Sequence, residues 1–202
     1  MATAKKKTTA AKGRVSGKKA TASAGRAATR VKPTAKRTST KKAAAAAGSE
    51  TQLKVGDRAP EFTLPDEAGD PIQLKDLKGQ SVILYFYPKD DTPGCTMQAC
   101  GFRDARTRVT KAKAAVIGVS LDGAESHQRF IDKYDLPFTL LSDTDAAVSK
   151  QYGVYKEKNM YGKKYWGIER TTFVIDPQGL LKAIFRKVKV DGHIEEVLAT
   201  LK

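Results

Sequence analysis

The chain has 202 residues and a net charge of +15, from 37 Lys and Arg against 22 Asp and Glu. Nearly all of that excess lies at one end: residues 1–50 hold 14 basic side chains and one acid, Glu50, while the rest carries 23 basic and 21 acidic groups. The first fifty residues contain no Phe, Trp, Tyr, Leu or Ile, so they cannot bury enough apolar surface to offset the entropy of ordering them. The organisation this predicts is a disordered Lys/Ala-rich basic tail over 1–50 and one globular domain over 51–202. The longest apolar run, Ser81 to Tyr87, is far short of the ~18 to 20 residues that cross a bilayer. A secretory signal needs about 7 to 15 apolar residues, and the tail offers only Ala43 to Ala47. An intracellular protein is expected, and in a reducing compartment two cysteines five positions apart point to catalysis or metal binding rather than a permanent staple.

In chain order, Phe62 to Pro65 and Ile72 to Leu74 alternate as two short strands joined by a turn at 66–71. The run Ser81 to Tyr87 is a buried strand ended by Pro88. Thr92 followed by Pro93 is a helix start, Thr as N-cap and Pro at the first helical position, and this helix runs to about Thr110. Ala114 to Ser120 is a second apolar strand. Glu125 to Tyr134 is a helix whose Phe130, Ile131 and Tyr134 share a face. A short strand at 139–141 and a short helix at 146–152 follow. Arg170 to Asp176 then pairs with Leu180 to Lys187 as an antiparallel hairpin through Pro177-Gln178-Gly179. Asp191 to Leu201, with Ile194, Val197, Leu198 and Leu201 at helical spacing, closes the chain as an amphipathic helix. Alternating strand and helix gives a parallel-sheet signature. With the terminal hairpin and helix, the order is that of the thioredoxin fold: an α/β domain with a central mixed sheet flanked by helices.

If Thr92 is the N-cap, Cys95 occupies the third helical position, where unpaired backbone N–H groups and the helix dipole stabilise a thiolate. Asp90 and Asp91 oppose this, so the fold has to bring in a further positive group. Cys100 follows at i+5, which on a regular helix sets the two Cα atoms roughly 8 to 9 Å apart. A disulfide needs less than ~7 Å, so if these cysteines bond to each other the helix must first unwind by about a turn. Taken in isolation, both cysteines also read as apolar fillers. A zinc site wants four ligands at recognisable spacing, and the chain adds only His127 and His193, which read as surface groups on helices.

The wording around Cys95 separates these readings. Pro88-Lys-Asp-Asp-Thr92-Pro-Gly-Cys95 fits P-x-x-x-T-x-x-C and resembles the active-site loop of peroxiredoxins, and Cys95-Thr-Met-Gln-Ala-Cys100-Gly-Phe-Arg103 is similar to the bacterioferritin comigratory protein, or peroxiredoxin Q, subgroup. The resemblance extends over residues 53–202, including Val55 to Phe62 and Glu169 to Asp176. It implies that Cys95 is the peroxidatic and Cys100 the resolving cysteine, that Thr92 hydrogen-bonds thiolate and peroxide, that Arg170 is the cation beside both, and that Pro88 shields the site. Gln98 stands where members of this subgroup often carry Glu, a minor change in local charge. The implied activity is reduction of hydrogen peroxide and organic hydroperoxides, with thioredoxin or a similar dithiol as reductant and no metal, haem or flavin. The subgroup is often monomeric.

The tail resembles, in composition, those of linker histones and bacterial histone-like proteins. Its cations can neutralise phosphates and bind DNA without sequence preference. A nuclear address from Lys36-Arg37 and Lys41-Lys42 is the plainer alternative, and an Arg-poor transit peptide ranks third. The expected places of work are therefore a bacterial cytoplasm, at the nucleoid, or a eukaryotic nucleus. The rival functional class is a chromatin or nucleoid DNA-binding protein whose peroxiredoxin-like domain is mainly structural.

Overall fold

The computed structural model describes residues 52–160 and 162–201; the expected disordered tail, residues 1–50, lies outside them. The domain opens with a small antiparallel pair, β1 (Thr63–Pro65) and β2 (Pro71–Gln73), followed by a 3-10 turn over Leu74–Leu77. Then come β3 (Ser81–Phe86), α1 (Pro93–Asp104), α2 (Arg106–Lys111), β4 (Ala114–Ser120), α3 (Ala124–Tyr134), β5 (Thr139–Ser142) and α4 (Ala147–Gln151). A hairpin of β6 (Tyr155–Met160) and β7 (Lys163–Ile168) precedes β8 (Thr171–Ile175), β9 (Leu181–Phe185) and α5 (His193–Thr200).

The main sheet has the order β5-β4-β3-β8-β9. Strands β3, β4 and β5 run parallel, whereas β8 lies antiparallel to both β3 and β9, which is the expected mixed sheet. β3 shows why its sequence is apolar throughout, because both of its faces are covered. Val82, Leu84 and Phe86 enter one core with Tyr152, Phe173 and the β1–β2 region. Ile83, Tyr85 and Tyr87 enter the other with Cys95, Phe102, Phe130 and Val197, under α1, α3 and α5. Burying each large side chain contributes about 1.5 to 3 kcal/mol. The end of β3 is thereby a fixed point between two packed layers.

The structure departs from the sequence expectations in three places. The helix predicted to run from 93 to about 110 is interrupted at Ala105, whose φ of −83° and ψ of 1° end α1 before α2 begins. The β6–β7 hairpin had no predicted counterpart. Both histidines are buried: His127 is 0% exposed and His193 1%, so neither is the surface group expected. His127 precedes Phe130 by three and Ile131 by four on α3, which places it on that helix's inward face. His193, at the start of α5, packs against Phe102 and Phe185 and lies 2.9 Å from the Thr172 hydroxyl.

Candidate active site

Thr92 is the N-cap of α1 with extended backbone (φ −99°, ψ 151°), and Pro93 takes the first helical position, as predicted. Its carbonyl accepts the Thr96 N–H at 2.8 Å. Its hydroxyl makes no cap bond; it donates to the Lys89 carbonyl at 3.1 Å. Cys95 therefore stands in the first turn, buried against Tyr85, Tyr87 and Phe102. Pro88 is exposed in the link between β3 and α1. Cys100, further along the same helix, is half-buried, and both cysteines are free thiols.

Arg170 supplies the cation that the local sequence lacked. Phe86, the last residue of β3, is paired with Thr171, the first of β8, so the residue before β8 is delivered beside the end of β3. The Arg170 carbonyl accepts the Val188 N–H at 2.9 Å, fixing its backbone. The guanidinium then forks: Nη2 donates to Cys95 Sγ at 3.2 Å and Nη1 to Gln98 Oε1 at 2.6 Å. The contact aims a full positive charge at the sulfur from within hydrogen-bond distance. Gln98 is fully buried, and its Nε2 has no hydrogen-bond partner. A Glu here would set a carboxylate against Arg170; the neutral amide orients the guanidinium and leaves its charge to the sulfur.

Two further residues shape this contact, neither of which carried a sequence signal. Gly94 lies so close to Arg170 that a Cβ would meet Nη2 at 3.3 Å. Lys158 on β6 donates to the Ile168 carbonyl at 2.5 Å, two residues before Arg170. Burial holds its ammonium below the ordinary lysine range, opposed by Glu169 and reinforced by Arg170, and Cys95 is within its electrostatic reach. The missed hairpin thus brings a second cation to the site.

The two acids expected to oppose a thiolate are each engaged elsewhere. Asp90 is buried; its Oδ1 accepts the Tyr87 hydroxyl at 2.7 Å, and its Oδ2 lies 2.9 Å from His127 Nδ1. Burial pushes its carboxyl upward, but the bonds from His127 and Tyr87 outweigh this and hold it below the usual carboxylate range. Asp91 turns outward to Lys133 Nζ and the Tyr134 hydroxyl, each at 2.6 Å, which lower its carboxyl.

The structure thus brings together a cysteine in the first turn of a helix, an arginine donating to its sulfur and a second thiol five residues on, and the comparisons with known proteins show the family. Residues 55–184 match the AhpC/TSA family model. The chain belongs to the AhpC/TSA family. It is 58% identical over 149 residues to the putative peroxiredoxin bcp of Coxiella burnetii, a match covering 74% of this chain and 99% of that protein. With peroxiredoxin Bcp of Bacillus subtilis the identity is 46% over 150 residues, covering 74% and 96%. The Xylella fastidiosa PrxQ structure is similar at a TM-score of 0.71 and 38% identity, covering 75% of this chain and 96% of that one. A structure of the Xanthomonas campestris bacterioferritin comigratory protein, determined for its alkyl peroxide reduction activity, matches at a TM-score of 0.67 and 43% identity, covering 69% and 89%. The chain is accordingly a peroxiredoxin of the Bcp/PrxQ type with the thioredoxin-like fold. Among the described residues, no helix of this peroxiredoxin is long and apolar enough to cross a membrane.

Proposed function

We propose that Cys95 is the peroxidatic and Cys100 the resolving cysteine of a thioredoxin-dependent peroxidase acting on hydrogen peroxide and organic hydroperoxides. The observation that carries this reading is the Arg170 Nη2 to Cys95 Sγ contact of 3.2 Å at the start of α1. The thiolate attacks the terminal peroxide oxygen; the O–O bond breaks, the sulfur becomes a sulfenic acid, and the leaving alkoxide or hydroxide takes a proton from solvent. Arg170 stabilises charge on the breaking bond. Thr92, whose hydrogen is given to Lys89, offers a lone pair to the peroxide O–H, and Pro88 limits access from the surface. The Cys100 thiolate then attacks the sulfenic sulfur and displaces hydroxide, closing a disulfide that an external dithiol reduces by exchange.

Cys95→Ser abolishes peroxide consumption with thioredoxin and its reductase; normal turnover in that variant overturns the assignment. Cys100→Ser leaves the first oxidation intact but removes the 95 to 100 bridge, which peptide mass mapping after one equivalent of peroxide detects.

Residues 1–50, with 14 cations and one acid, support non-specific binding to DNA phosphates as a second role. Truncation before residue 51 lowers DNA retention at low salt while leaving peroxidase activity unchanged; equal retention with and without the tail refutes that role.

A further inference from the structure

Asp90 and Asp91 stand immediately before α1, and a single helix, α3, holds both. Asp90 meets His127 in the interior, whereas Asp91 meets Lys133 and Tyr134 in the last turn of α3. Tyr134 has a second role at the other end of the same segment: its backbone carbonyl accepts Arg103 Nη1 at 2.8 Å. The end of α3 therefore grips the chain at residue 91 and again at residue 103. Between those grips lies the stretch that must unwind for Cys95 to reach Cys100. Asp91 also has a φ of 52°, a left-handed conformation that aspartate adopts more readily than most residues with a Cβ. Releasing the two side-chain bonds to Asp91 withdraws the anchor just ahead of α1.

We propose that Lys133 and Tyr134 form a latch on Asp91 that keeps α1 wound and so sets the rate at which oxidised Cys95 reaches Cys100. They are positioning residues for the resolving step and do not touch peroxide. The inference rests on the Cys95–Cys100 chemistry proposed above. Lys133 and Asp91 are about half exposed, with side-chain exposures of 56% and 45%, so each bond is individually modest and the latch is graded rather than absolute. A tight latch prolongs the sulfenic acid and exposes it to a second peroxide molecule, which oxidises it to sulfinic acid and is itself reduced to water or alcohol. A loose latch favours the disulfide.

Tyr134→Phe deletes only the hydroxyl, keeping the ring against Phe130 at 5.3 Å between centroids and the carbonyl for Arg103. Lys133→Met deletes the cation. The full chain is mixed with one equivalent of hydrogen peroxide, quenched with a thiol-alkylating reagent and mapped by mass. Disulfide formation accelerates about two- to threefold in each single variant and about five- to tenfold in the double variant. The sulfinic fraction under excess peroxide falls in proportion, while the first oxidation stays within about twofold of the parent. Asp91→Ala reproduces the double variant, and combining all three substitutions adds nothing further. If the parent forms no 95 to 100 bridge, the underlying chemistry is wrong and the latch has no step to govern. If the parent forms the bridge and the double variant forms it at the same rate, the latch alone is overturned. Parallel slowing of both steps also overturns it, since that marks general damage to the site.

Discussion

Arg170 and Cys95 meet at 3.2 Å, yet they arrive from regions of opposite character. Arg170 leads into β8, whose five residues are all buried and which is paired on both sides, by β3 and β9. Cys95 arrives on α1, a helix with glycines at 94 and 101, no side-chain cap bond and no acid in its first turn. Glycine and threonine are poor helix formers, so α1 is held mainly by what it packs against and by the anchors at its ends. The cation is thus mounted on the rigid part of the molecule and the proposed nucleophile on the helix that the proposed resolving step unwinds. In the proposed mechanism, peroxide reduction needs the two together and disulfide formation needs them apart.

The largest effect should come from removing the rigid partner. Arg170→Met lowers the rate of Cys95 oxidation in a single-turnover peroxide assay by about 10²- to 10³-fold, the usual cost of losing one preorganised charged donor. A smaller loss, about tenfold in the same assay, follows from Gly94→Ala. Its Cβ, 3.3 Å from Nη2, makes the guanidinium give by a few tenths of an ångström, which weakens its aim at the sulfur. Lys158→Met tests whether the hairpin cation belongs to the site: a two- to fourfold loss is expected, and it should shrink as salt is raised. An unchanged rate would confine the electrostatics to Arg170.

The smallest effect concerns stability of the rigid side. Burial holds His193 below the ordinary imidazole range, with Glu196 opposing. The unfolded chain titrates near ~6.5, so between that value and the lower folded one the unfolded state binds more protons. Stability is therefore full above about pH 6.5 and declines as pH falls through that window. In thermal melts, His193→Gln costs roughly 1 kcal/mol at pH 7 through the altered Thr172 contact but loses less on going to pH 5.5 than the parent does.

Much of this site could be read in the residues, and what was missed has physical causes. Thr92-Pro93 marked the start of α1 and placed Cys95 in its first turn, because caps are local chemistry. Arg170 is 75 positions from Cys95, and nothing beside it distinguishes it from an ordinary strand-end arginine; only the resemblance to a family pointed to it. The β6–β7 hairpin has no readable period because Lys156, Glu157, Lys158 and Asn159 against Lys163, Lys164 and Tyr165 are polar or exposed, and β7 buries a core residue only at its last position, Ile168. The break at Ala105 has no Pro or Gly to announce it. His127 was misjudged for a different reason. The α3 periodicity already put it with Phe130 and Tyr134, but its buried partner, Asp90, lies 37 residues away.

Cys95 is only 1% exposed, and this turns the sulfur into a gauge of its own helix. If the proposed unwinding occurs, a bulky alkylating reagent reaches this sulfur only in the unwound molecules, whereas a small one also reaches it in the wound form. The ratio of the two labelling rates would follow the opening of α1 in the resting protein with no peroxide present.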